Sequence, residues 1–117
     1  MPYSARNNGG EMSDRFNLHG LRRDNLDEAK RLISDTLGVE FTPKESSFRG
    51  GAYFSHRGSD RFEVTIERNF TDDEGILSEP EFPLHSTLIF VSYATSEVEG
   101  LLNALGEIDL LRSEVIQ

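Results

Sequence analysis

The chain contains no cysteine among its 117 residues. That excludes a disulfide framework and any thiolate nucleophile. No run approaches the ~18 consecutive apolar residues of a membrane-spanning helix. The opening segment, MPYSARNNGGEM, lacks the apolar stretch of a secretory signal and carries Asn7-Asn8-Gly9-Gly10 instead. No internal repeat is visible. Basic residues are scarce in the second part: residues 62–117 hold Arg68 and Arg112 against twelve acids, a net of -10. Residues 1–61 carry ten bases and nine acids, and the whole chain sums to -9. A nucleic-acid binder needs a basic stripe to displace counterions from phosphate, and none is present. The same field repels anionic membranes.

Catalytic signatures are also missing. There is no G-x-S-x-G elbow, and no Gly-Lys-Ser/Thr follows Gly50-Gly51. His19, His56 and His85 are too far apart for a zinc pattern, and they read as surface or strand-end histidines. Asp72-Asp73-Glu74 has the oxygen chemistry of a hard-cation site but not the alternating spacing of a calcium loop. The expectation is no catalytic residue, no metal and no cofactor.

What is present reads as one globular domain. Charged residues make up 28% and hydrophobic residues 36%, but the apolar ones are grouped and periodic rather than scattered. Arg15–Leu21 alternates as a short strand. Asn25 and Glu28 form a capping box for a helix whose stripe is Leu26, Ala29, Ile33 and Leu37, closed by Gly38. Val39–Thr42 starts a strand that Pro43 interrupts. Phe48–His56 and Arg61–Phe70 form a hairpin, in which Phe62, Val64 and Ile66 face one way and Glu63, Thr65 and Glu67 the other. Gly50-Gly51 marks a bulge or a close backbone approach.

Residues 71–85 read as a long acidic loop with Pro80 and Pro83. Ser86–Ala94 is a buried strand. Ser96 caps a second helix with Glu99 at the box position; its apolar face is Val98, Leu101, Leu102 and Leu105, and Gly106 ends it. Ile108–Val115 supplies a last, edge strand. Two helices about 10 Å wide cover only one face of strands spaced about 5 Å apart. The fold class is therefore α+β: a two-layer sandwich with an antiparallel-rich sheet of four to five strands and two helices on one face. Ferredoxin-like topology is the nearest standard arrangement, with the middle hairpin as an elaboration. Residues 13–117 form the domain and 1–12 a disordered tail.

Two surfaces draw attention. On the hairpin, Arg49, Tyr53, Glu63 and Glu67 offer either cross-strand charge pairs or a binding face, since Tyr and Arg favour interface centres. From Glu63 to Glu81 there are seven acids and one base. Asp72, Asp73, Glu74, Glu79 and Glu81 lie in the loop with Ile76, Leu77 and Phe82 among them. Apolar groups inside a charged rim suit docking better than mere solubility.

The runs Ser46–Phe54, Glu67-Arg68-Asn69-Phe70, Glu79-Pro80-Glu81-Phe82-Pro83 and Leu88-Ile89-Phe90-Val91 resemble small bacterial proteins, some of them immunity proteins of polymorphic toxin systems. The resemblance spans roughly residues 25–105. It implies an acidic cytoplasmic protein that binds and blocks a toxin. The expectation is a non-enzymatic module binding a basic protein partner through Arg49, Tyr53, Glu63, Glu67, the five loop acids and Phe82. The rivals are a small-molecule-binding or regulatory domain, and a small enzyme using Glu63 or Glu67 as a general base. Oligomeric state is left open.

Overall fold

A computed structural model describes residues 14–116. The tail expected at residues 1–12 lies outside the described residues. The elements are β1 (Asp14–Leu21), α1 (Leu26–Leu37), β2 (Thr42–Ser46), a 3-10 turn (Ser47–Arg49), β3 (Gly51–Arg57), β4 (Glu63–Arg68), β5 (Thr87–Ser92), α2 (Ser96–Asn103) and β6 (Asp109–Ile116). The strands form one sheet in the order β2-β3-β4-β5-β1-β6, and every pairing is antiparallel. The architecture is α+β, with six strands among the described residues rather than four to five. The extra strand comes from Thr42–Ser46, where Pro43 does not end the strand. β2 is an edge, and an edge position tolerates the missing N–H.

The register sets Val64 and Ile66 of β4 level with Val91 and Ile89 of β5, which lie level with Asn17 and His19 of β1. Those residues share the face that both helices cover. Leu26, Ala29 and Ile33 of α1 and Val98 and Leu102 of α2 complete one core with them. Completely buried side chains such as Ile33 and Ile66 each contribute about 2 kcal/mol of transfer free energy. Leu101 points away from this core and is exposed, against expectation. Helical spacing places Val98 and Leu102 inward and leaves Leu101 on the flank.

The helix ends follow local chemistry. Asn25 Oδ1 accepts from Glu28 N at 3.0 Å, and Gly38 closes α1 in the left-handed region at φ 70°. The return half of the capping box is absent. Asn25 N instead donates to Thr87 Oγ1 at 3.0 Å, and the Glu28 carboxylate accepts from Arg23. α2 is capped by Thr95, not Ser96: Thr95 Oγ1 accepts from Val98 N at 3.2 Å. The helix stops at Asn103 with Ala104 as its C-cap, two residues before Gly106. This shift frees the Glu99 side chain, which accepts from Asn17 Nδ2 at 2.8 Å and from Arg15 at 3.3 Å.

The histidines are not all surface groups. His19 sits mid-strand at 1% exposure, and neither ring nitrogen has a hydrogen-bond partner. Burial pushes its pKa down to about 4, against an opposing pull from Glu99. His85 is also buried, and its Nε2 lies 2.8 Å from Asp109 Oδ2. That hydrogen bond holds the Asp109 carboxyl below its usual range.

Candidate functional site

Residues of odd number on β4 turn away from the helices. Glu63, Thr65 and Glu67 therefore share the opposite face with Phe90 and Ser92 of β5. No helix covers this face among the described residues. Phe48, Arg49, Glu63, Thr65, Glu67 and Phe90 border a groove of about 440 Å³ on it. A second depression of about 280 Å³ shares Phe90 and Ser92 with the first and continues to Phe16, Arg112 and Ile116. Together they make a furrow across the strands.

The charged groups of the groove are internally matched. Arg49 Nη1 donates to Glu67 Oε2 at 2.8 Å, and Thr65 Oγ1 donates to the same oxygen at 3.1 Å. The Glu67 side chain is only 12% exposed. Arg49 also lies over the Tyr53 ring, 4.8 Å from its centroid. Arg57 and Glu63 are register partners, with Nε 3.6 Å from Oε2. Four of the sequence-selected residues thus come together on one face. Arg57–Glu63, an exposed cross-strand pair, contributes a few tenths of a kcal/mol and mainly fixes side-chain orientation.

Phe48 stands at the rim, 91% exposed. Its position follows from a capped turn: Ser46 Oγ accepts from Phe48 N at 3.2 Å, and Gly50 reverses the chain at φ 79°. Gly50 also meets Phe70 closely. A Cβ there would fall 2.8 Å from the Phe70 Cβ. The glycine pair therefore serves a tight turn and a close approach.

The acidic loop, residues 69–86, has its own framework centred on Asn69. Asn69 Nδ2 donates to the carbonyls of Glu79, Phe82 and His85 at 3.2, 3.0 and 3.2 Å. Its Oδ1 accepts from Ser78 Oγ and Glu79 N. At the tip, Asp72 Oδ1 accepts from Glu74 N and Ile76 N, each at 2.9 Å, and Gly75 turns at φ 81°. Asp72 is thus engaged by amides of its own loop, while Asp73 and Glu74 are exposed. Among the described residues no group of three or more His, Asp or Glu could hold a metal ion.

The loop's second half folds back on β6. Arg112 donates to both Glu79 oxygens, at 3.1 and 3.2 Å, and lies 5.8 Å from the Phe82 ring centroid. Glu79 holds the Arg112 guanidinium above its usual range. Glu81 is more exposed, 3.7 Å from Arg112. Glu79 and Phe82 therefore anchor the loop, whereas Asp73, Glu74 and Glu81 meet solvent.

Sequence reasoning missed Phe48, Phe90 and Asn69. An aromatic directly before Arg-Gly-Gly was a usable signal for Phe48, because glycines at positive φ leave little room to turn the ring inward. Phe90 was hidden in an apolar run that reads as buried on both sides. No helix of the described residues is long and apolar enough to cross a membrane. No protein-family model, curated protein or solved structure matches this chain.

Proposed function

We propose that this chain is a non-enzymatic protein-binding module that neutralises a basic partner in the cytoplasm, an immunity protein of the class its sequence resembles. Phe48 carries the reading. Leaving an aromatic ring in water forgoes about 2 kcal/mol of burial, yet a capped turn holds this one beside an uncovered groove. Aromatic and arginine anchors with polar rims are the usual centre of a protein interface. Phe48, Arg49, Tyr53, Glu63 and Glu67 form the contact floor. Asp73, Glu74 and Glu81, the loop acids that meet solvent, supply the attraction that steers a basic partner toward it.

The groove is open, and ion pairs flank it. Small-molecule sites enclose most of their ligand, so a protein surface is the better occupant. Glu63 and Glu67 each sit against an arginine, which suits recognition better than proton abstraction by a free base. We read β6-β1-β5-β4 with α1 and α2 as a ferredoxin-like unit, extended at one edge by β2 and β3. That extension brings Phe48, Arg49 and Tyr53 to the binding face.

The test is capture of the bound protein from the native cell on the tagged chain, followed by rescue of growth when that protein is co-expressed with it. The wild type restores growth. Phe48→Asp and the triple change Asp73→Lys, Glu74→Lys, Glu81→Lys abolish rescue while keeping the circular dichroism of the folded protein. Undiminished rescue by both variants would falsify this surface as the interface. Failure of the wild type to rescue or to form a complex overturns the proposal itself.

A further inference from the structure

The two edges of the sheet differ in kind. β2 is five residues long, and its TPKES sequence carries Pro43 and Lys44, both of which discourage a new strand from pairing. β6 is eight residues long, has no proline or lysine, and exposes Leu110 at 48% and Val115 at 45%. Among the described residues nothing pairs with its outer side. The Arg15 carbonyl accepts from Ala94 on the β5 side, so alternate residues of β1, Phe16 and Leu18, direct their peptide groups to β6. Their partners Glu114 and Arg112 point inward, which leaves the peptide groups of Ser113 and Val115 facing outward.

The geometry points to a second copy of this chain as the occupant of that edge, joined antiparallel about a two-fold axis through Ser113. In this register Ser113 lies opposite the partner's Ser113, and Arg112 lies opposite the partner's Glu114, twice over by symmetry. Both charged side chains project on the face opposite the helices, as the pairing with Leu18 and Phe16 requires. Leu111 is an extra residue in the β1–β6 pairing. Absorbed in the same way on the outer side, it sets Val115 beside the partner's Leu110, both on the helix face. Exposed apolar groups then meet one another and opposite charges meet across the strands. Moving the axis to Arg112 or to Glu114 would instead place like charges face to face. The two sheets become one of twelve strands, with the open faces on the same side.

Sedimentation equilibrium from micromolar to several hundred micromolar tests this. The expected mass is that of two chains. Val115→Lys and Glu114→Lys each weaken association at least tenfold, the first by charging the apolar contact and the second by opposing the partner's Arg112. The chain has no native cysteine, so Ser113→Cys gives a register test. Opposed residues lie about 5.5 Å apart, within disulfide reach, and mild oxidation yields a covalent dimer, whereas Thr42→Cys on the other edge does not. A wild type of single-chain mass throughout overturns the proposal, as does a dimer indifferent to all three β6 changes. A monomer whose Ser113 and Val115 amides resist hydrogen exchange also overturns it, by placing another segment of the same chain on the edge.

Discussion

Arg112 clasps Glu79 through two hydrogen bonds of 3.1 and 3.2 Å, tying the acidic loop to the last strand of the sheet. The planar guanidinium fits the carboxylate in a way a lysine ammonium cannot. Arg112→Lys keeps the charge and loses the fork. The expected cost is about 1 kcal/mol in urea denaturation, with faster proteolysis between residues 72 and 84. Unchanged loop proteolysis would show that the clasp does not hold the loop.

Asn69→Ala tests the loop's framework more severely. Three carbonyls lose their shared donor, and the Glu79 amide loses its acceptor. Unmet partly buried polar groups cost about 1–3 kcal/mol each in the worst case, and water recovers part of that. The expected loss is about 2–3 kcal/mol, with amide exchange in residues 78–85 accelerated well beyond that in β4. A uniform change across the domain would contradict a local role.

His19 predicts a pH dependence with a definite sign. Its folded pKa is near 4, below the ordinary 6.5 of the unfolded chain, because burial disfavours the imidazolium. The unfolded state therefore binds the extra proton between these values. Stability contributed by neutral His19 is complete above about pH 6.5 and is lost as pH falls toward 4. At pH 5 the loss is about 2 kcal/mol, from 1.36 kcal/mol per pH unit. His19→Leu should flatten the urea midpoint between pH 5 and 7. A slope as steep as that of the wild type would assign the effect to other groups.

Two glycines separate backbone strain from crowding. Gly38 has φ 70° and open space around it, whereas Gly50 has φ 79° and Phe70 against it. Gly38→Ala should cost about 1 kcal/mol, the left-handed penalty alone. Gly50→Ala should cost more, about 2–4 kcal/mol, since overpacking adds to the same strain. Thermal melts of the two variants check the order, and a Gly50 variant as stable as the Gly38 one would remove the close approach as a constraint.

Much of the fold was legible because period and punctuation agree. Strict alternation placed Phe62, Val64 and Ile66, and Asn25 and Gly38 marked both ends of α1. β1 was read as a strand, but its polar residues were not read as core. Asn17 and His19 face the helices, and Leu18 on the other side is buried as well. A strand covered on both faces does not show a clean hydrophobic side. Adjacent capping residues, Thr95 and Ser96, cannot be ranked by type alone. At the site, the sequence placed Tyr53, Glu63 and Glu67 on one face, because a hairpin fixes faces by parity; Arg49, read as part of the same hairpin, lies in the 3-10 turn before β3 and reaches Glu67 from there. It could not separate Glu79 and Phe82 from the solvent-facing acids, because their partner Arg112 lies about thirty positions away in sequence.

The path of residues 69–86 is set by Asn69, Asp72, Glu79 and Arg112, while Asp73, Glu74 and Ile76 contribute exposed side chains to its tip. Shape and surface chemistry are therefore carried by different residues. The tip can exchange its side chains for others of different charge or size while the frame beneath it stays the same. In the proposed docking role, such a surface can be retargeted in a few substitutions, at little cost to folding.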